Sequence, residues 1–295
     1  MSGEERRALA AMVLATLLWG GTFVAIRDAV ADVPPALLVC ARFLGAGALF
    51  ALVLAVRRRL PTRREIAGGA LSGLLMVGGF FLQALGLRST SAGSSAFLTC
   101  AGTLLAAFWA WLLLHERPGA RLTIGLALAM VGAALLSLRG GFRLGAGELI
   151  TLGGAALFAL QVVAIARFAA TTDTIALVCV QSFVAGGVLV PFALPSAGAL
   201  GTLGGANLAR FGYLLLAGST VAPLLQVYAQ RTLPAGRMGL LFALEPVFAL
   251  VFAVTLGAER FEPRWWWGAG LILAAVVMVE WKTSEPAAQG TAQPD

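Results

Sequence analysis

The sequence predicts an all-α integral membrane protein of ten transmembrane helices, built as two inverted five-helix repeats. Three observations lead there. The 295 residues are 59% hydrophobic and 12% charged, with a mean hydropathy of +0.89, whereas a soluble globular domain is about 25% charged. The apolar stretches are each about 20 residues long, enough to cross a hydrocarbon core of roughly 30 Å as a helix. The second half also repeats the first. Leu38-Val39-Cys40 recurs as Leu177-Val178-Cys179 at a shift of 139, and Gln83, Arg88 and Glu116-Arg117 recur as Gln226, Arg231 and Glu259-Arg260 at a shift of 143. One inter-helix indel reconciles the two shifts. An odd number of spans per unit makes the second copy enter the membrane from the opposite side. Inverted repeats of this kind mark secondary transporters, whose substrate site lies near the membrane midplane between the repeats.

The first repeat covers 1–139. Arg6 and Arg7 precede span 8–27, which is long for a signal-peptide core and has no small-residue cleavage site after it, so a retained helix is expected. Spans 36–56 and 66–86 flank a loop carrying Arg57, Arg58, Arg59, Arg63 and Arg64, a polybasic segment suited to anionic lipid headgroups. Because such arginines sit in loops between spans rather than on one face, the net charge of +7 is no nucleic-acid footprint. Spans 92–114 and 121–138 complete the repeat. The second repeat, 140–282, holds spans 148–168, 174–194, 209–229, 235–256 and 265–281, the last opened by Trp265, Trp266 and Trp267 as an aromatic anchor at the interface. Residues 283–295, rich in Pro, Gln, Ala and Gly, are expected to be a disordered tail. Very short turns at Arg88–Ser91 and Arg231–Pro234 force antiparallel hairpins.

Loop charge sets the orientation. With both termini cytoplasmic, the inner loops hold Arg6, Arg7, Arg57, Arg58, Arg59, Arg63, Arg64, Arg117, Arg121, Arg167, Arg231 and Lys282, against Arg27, Arg88, Arg139, Arg143, Arg210, Arg260 and Arg264 outside. The expected location is the bacterial cytoplasmic (inner) membrane. Small residues at small-xxx-small spacing, such as Gly69 and Gly73, let membrane helices pack closely. Pro191, Pro223 and Pro246 lie within spans, where a missing backbone donor opens a kink. Cys40, Cys100 and Cys179 all fall in apolar runs, an arrangement that suits packing rather than disulfides or zinc.

Polar side chains at membrane depth are few, and they are costly there. Trp19, Thr22 and Phe23 share one helix face, and Gln161 of span six aligns with Thr22. Gln83 and Gln226 occupy matching positions in spans three and eight, each able to donate and accept hydrogen bonds. With Thr99 and Glu245 they form the candidate substrate-binding set. Glu245, beside Pro246, fits a proton-coupling site, a partner for a substrate ammonium, or a brace for the kink. Arg42, aligned with Gln181, fits either a contact to a carboxylate or a structural arginine bonded to helix carbonyls. Arg42, Pro246, Glu116 and Glu259 are candidate structural or gating residues. Arg237 is expected to snorkel to the interface.

Catalytic motifs are missing. The one histidine, His115, stands in the turn His115-Glu116-Arg117. There is no His-Glu-x-x-His metal site, no phosphate-binding Walker loop and no Gly-x-Ser-x-Gly elbow. No catalytic residue, metal site or cofactor is expected.

Several stretches taken together resemble a known family. Leu17-Leu18-Trp19-Gly20-Gly21-Thr22-Phe23, Pro34-Pro35, Ala41-Arg42-Phe43 and Gly86-Leu87-Arg88-Ser89-Thr90-Ser91-Ala92-Gly93 resemble an EamA-type domain of the drug/metabolite transporter superfamily. So do Leu244-Glu245-Pro246-Val247-Phe248-Ala249 and Leu256-Gly257-Ala258-Glu259-Arg260 in the second half. The resemblance covers nearly the whole chain and implies a ten-helix permease, nearest to bacterial amino-acid exporters, including aromatic amino-acid exporters. Two departures stand out: Thr103 sits where the first repeat often has the proline matched by Pro246, and Phe158-Ala159 replaces the Trp-Gly pair of span one.

The leading expectation is a secondary transporter exporting small metabolites, most of all amino acids, by alternating access within a lipid bilayer, with no nucleic-acid partner and either a monomer or a homodimer. A drug or other metabolite efflux permease of the same fold is the nearest alternative. From other classes come an integral-membrane enzyme centred on His115 and a non-transporting assembly subunit, which would need no polar cavity.

Overall fold

The computed structural model describes residues 2–90, 92–137, 145–202, 204–256 and 262–282, and among these every regular element is a helix. In chain order they are α1 (Gly3–Ala29), α2 (Pro35–Val56), α3 (Arg63–Gly86), α4 (Ala92–Leu114), α5 (Ala120–Ser137), α6 (Ala146–Ala169), α7 (Thr174–Ala193), α8 (Gly205–Tyr213), α9 (Ala222–Ala229), α10 (Ala235–Phe242), α11 (Glu245–Thr255) and α12 (Arg264–Lys282). A 3-10 segment, Leu194–Thr202, prolongs α7, and a π-helical segment, Leu214–Val221, joins α8 to α9. Eight rods are long and apolar enough to cross a bilayer, counting Gly205–Ala229 and Ala235–Thr255 as one each. The protein is thus a multi-pass membrane protein. The other two expected spans are helical as well: α5 has the shorter apolar run Ala120–Leu136, and α12 closes on Glu280 and Lys282. The repeat boundary at 139/140, Glu259 with Arg260, and the tail 283–295 lie outside the described residues.

Local chemistry explains the helix ends. Ser2 and Glu5 form a capping box on α1, and Thr62 and Glu65 form one on α3, each satisfying amide donors that an open helix start leaves orphaned. α4 stops at His115, which takes a left-handed conformation (φ 59°) while the Glu116 N–H reaches back to the Ala110 carbonyl at 3.2 Å, a left-handed helix end. The three prolines within spans all sit at irregularities. Pro191 lies just before the 3-10 segment, Pro223 follows the π segment, and Pro246 follows the break between α10 and α11.

Helices from the two halves interleave. α2 packs on α7 and α5 on α12; α3 and α4 both pack on α6, while α9 and α11 both pack on α1. Exchanging the halves maps this pattern onto itself. In the α5–α12 pair, Gly132 adjoins Gly268 and Ile272, and Gly125 adjoins Ala275 and Val279, so the two helices run antiparallel. A Cβ on Gly132 would lie 2.6 Å from the Gly268 carbonyl oxygen; only glycine permits that approach of two backbones.

Charged clusters pin the ends of the helices. Glu65, 2% exposed, accepts from Arg59 at 2.7 Å, the Asp173 amide at 2.9 Å and the Thr62 amide at 2.7 Å. It thereby ties the α2–α3 loop to the start of α7. The hydrogen bond from Arg59 to Glu65 holds the guanidinium above its ordinary pKa, so Arg59 of the polybasic loop is an internal tie rather than a free lipid contact. Two expectations are corrected. Arg237 does not snorkel: it is ion-paired with Glu280 and, at 3.5 Å, with Glu5, because α1 and α12 bring carboxylates within its reach. Nor do all three tryptophans form an anchor, since Trp265 is only 2% exposed within the packed core, whereas Trp266 and Trp267 are 72% and 75% exposed.

Candidate functional site

The packed helices enclose a cavity of about 60 Å³, several times the roughly 10–15 Å³ that one water needs. All eight candidate substrate-binding residues line it: Trp19, Thr22, Phe23, Gln83, Thr99, Gln161, Gln226 and Glu245. They come from α1, α3, α4, α6, α9 and α11, so both halves contribute. Helical or repeat spacing had related Trp19, Thr22, Phe23, Gln83, Gln161 and Gln226, and the packing of α1 on α9 and α11 and of α6 on α3 and α4 brings them together with Thr99 and Glu245.

The polar groups are ordered in two sets. Gln83 Nε2 donates to Thr99 Oγ1 at 3.3 Å, joining α3 to α4. Gln161 and Gln226 exchange hydrogen bonds, with Gln226 Nε2 donating to Gln161 Oε1 and Gln230 Oε1 at 3.1 Å each, and Gln230 Nε2 donating to the Val162 carbonyl at 2.7 Å. The matching glutamines Gln83 and Gln226 therefore face the same cavity but hold different partners. Gln226→Leu is expected to strand buried amides of Gln161 and Gln230 and to cost about 1–3 kcal/mol, which detergent-phase thermal unfolding measures.

An aromatic wall faces these amides. Trp19 stacks on Phe242 with centroids 5.5 Å apart and donates from Nε1 to the Gly218 carbonyl at 3.0 Å. Phe80 meets Phe158 edge-on at 4.8 Å. Phe158 aligns with Trp19 in the repeat, so the aromatic position is present in both halves despite the lost Trp-Gly pair. Thr22 Oγ1 donates to the Trp19 carbonyl at 2.7 Å, which spends its hydrogen within its own helix and leaves the oxygen toward the cavity as an acceptor.

Glu245 opens α11 and is 6% exposed. Among the described residues its carboxyl has no hydrogen-bond or ion-pair partner. Pro246 follows it at the second helical position; lacking an N–H, it leaves the Phe242 carbonyl without its usual donor. The position is about 15 Å along the rod that starts at Ala235, at 1.5 Å per residue, which is half of a roughly 30 Å hydrocarbon core.

Arg42 is outside the cavity lining and fully buried. Its Nε donates to Ser219 Oγ at 2.7 Å, and its guanidinium carbon lies 5.0 Å and 4.6 Å from the ring centres of Phe43 and Phe80. Sequence reasoning missed the π segment that supplies Ser219 and Gly218, as well as Phe242 and Gln230. The only local hint was Pro223, which cannot donate into a regular turn.

The remaining gating candidate, Glu116, sits at the start of α10, where its carboxylate accepts from the Ala235 amide at 3.1 Å. Burial holds this carboxyl above its ordinary value, against the pull of the Gly236 and Ala235 amides. His115, beside Glu116 in the loop after α4, does not line the cavity. His115→Gly is expected to relieve the left-handed backbone, worth about 1–2 kcal/mol before glycine's own entropy cost, and so to raise stability slightly without lowering activity, checked by paired melting and activity measurements.

Among the described residues no cluster of three His, Cys, Asp or Glu side chains is placed to hold a metal. The model of the EamA-like transporter family matches residues 6–138 and again 145–281. An uncharacterized transporter from Archaeoglobus fulgidus is 28% identical over 91% of this chain and 84% of its own length. The uncharacterized inner membrane transporter YedA of Escherichia coli K12 is 27% identical over 89% and 87%. A solved crystal structure superposes with a TM-score of 0.77 over 96% of this chain and 99% of its own, at 19% identity, a likeness of fold.

Proposed function

Because the chain belongs to the EamA-like transporter family, we propose that it is a secondary transporter exporting small zwitterionic metabolites, amino acids foremost, across a bacterial inner membrane. Ten spans in two inverted five-helix halves would expose the cavity to each side in turn. The observation that carries this reading is the cavity itself, walled from both halves and fitted with amides, aromatic rings and one carboxyl that has no partner among the described residues. An apolar pocket with a few directed polar groups is the general form of a small-molecule site.

Other features support the details. The exchange symmetry of the helix contacts and the antiparallel α5–α12 pair favour inverted halves. The arginine excess on one set of loops favours both termini in the cytoplasm. Gln83, Thr99 and the Gln161–Gln226 pair can hydrogen-bond the polar head of an amino acid while Trp19 and Phe158 pack its side chain. His115, which does not line the cavity, gives the membrane-enzyme alternative no support.

Purified protein in liposomes should exchange labelled amino acids well above empty liposomes, and unlabelled substrate should compete. Background-level flux for the whole amino-acid panel would overturn the amino-acid assignment.

A further inference from the structure

Arg42 carries the only guanidinium that the described structure buries completely. A guanidinium stays charged and offers five N–H donors. Only Nε is used, toward Ser219; Nη1 and Nη2 have no partner. No carboxylate among the described residues reaches it. The rings of Phe43 and Phe80 offset part of the desolvation by cation–π attraction, but they leave the planar fork of donors unfilled.

Packing does not require this charge. In the repeat, Arg42 aligns with Gln181 and Ser219 with Met76. The structure makes the same bridge in both halves: Arg42 Nε to Ser219 Oγ at 2.7 Å, and Gln181 Nε2 to Met76 Sδ at 3.1 Å. A neutral glutamine thus performs the interhelical task at the mirrored position. A cation that the fold can do without, and that costs desolvation where it stands, calls for another explanation.

Its surroundings suggest one. Phe80 shows its ring to the guanidinium and also lines the cavity. Nη2 lies 3.9 Å from where a Cβ on Gly218 would sit, and Gly218 borders Thr22 and accepts from Trp19, both cavity residues. The fork therefore lies one side chain behind the cavity wall.

We propose that Arg42 is an anion anchor of the central site, with Phe80 as the movable wall between them, so that the site selects small metabolites bearing a carboxylate. A carboxylate matches the guanidinium fork with two parallel charge-assisted hydrogen bonds. Glu245, on the half opposite to Arg42, is left to meet an ammonium. The inference rests on the transport reading for the route by which a solute arrives.

The test is equilibrium binding to the full chain in detergent, with labelled 3-phenylpropionate as the acid and 3-phenylpropionamide as its neutral isostere. Wild type should prefer the acid by roughly 10- to 100-fold, the span of one charge-assisted interaction. Arg42→Gln should erase the preference and Arg42→Lys should keep part of it, with each variant checked for wild-type elution. Phe80→Leu, which leaves the cation in place, should tighten acid binding severalfold. Equal binding of acid and amide by wild type, an undiminished preference in a well-folded Arg42→Gln, or unchanged acid affinity in Phe80→Leu would each overturn the proposal. Inorganic phosphate outcompeting the acid would overturn the carboxylate assignment. Liposome flux separates the two readings: no amino-acid flux despite an acid preference removes the transport assignment alone, and wild-type flux in Arg42→Gln removes the anchor alone.

Discussion

Glu245→Gln is expected to cut substrate flux in liposomes by roughly 10- to 100-fold while leaving the protein folded. The side chain is buried in the cavity lining, half-way along its rod, without a partner among the described residues. No described residue is bonded to the carboxyl, so an isosteric amide should disturb packing little. What it removes is the one acidic group lining the cavity, and with it a charge-assisted contact worth about 1.5–3 kcal/mol. The measurement is initial-rate exchange of a transported amino acid, with melting in detergent as the folding control. Repeating it under an imposed pH gradient adds a second reading. A gradient response in wild type that vanishes in the variant assigns the proton to this carboxyl. Wild-type flux in Glu245→Gln would reduce Glu245 to a brace for the helix break.

The second large effect concerns stability. Gly132→Leu should prevent α5 and α12 from docking, because the added atoms meet backbone rather than a movable side chain. Even a single Cβ would stand 2.6 Å from the Gly268 carbonyl oxygen, and the reciprocal Cβ on Gly268 would stand 2.7 Å from that of Gly132. Overpacking of this kind costs about 1–3 kcal/mol where side chains can give way, and here they cannot. The expected result is loss of a monodisperse peak and a melting point lowered by several degrees in whatever protein survives. Neither glycine lines the cavity, so this variant separates folding from transport. A Gly132→Leu protein with wild-type melting would mean that the two helices do not meet as closely as the structure places them.

Much of the architecture could be read directly from the chain. Apolar runs of membrane length, punctuated by arginine-rich loops, dictate helices, since lipid offers no partner for unpaired backbone groups. The internal repeat then pairs positions such as Gln83 with Gln226 and Thr22 with Gln161, and all four line one cavity. Periodicity could do this because a helix face is a local property of spacing. Other features had no local signal. Arg237 looked like an interfacial side chain until α1 and α12 brought Glu5 and Glu280 to it. Trp265 looked like its two neighbours, yet packing buries it alone.

By itself, then, the sequence determined an all-helical membrane protein, its repeat, and which side chains share inward faces, because each follows from composition or from short-range geometry. Only the tertiary structure decided the π turn that carries Ser219 to Arg42, the stacking of Phe242 on Trp19, and the lack of a partner for Glu245 among the described residues. These depend on where helices far apart in sequence cross. A helix crossing is settled by side-chain volume and close backbone approach summed over many residues, which no single stretch of the chain encodes.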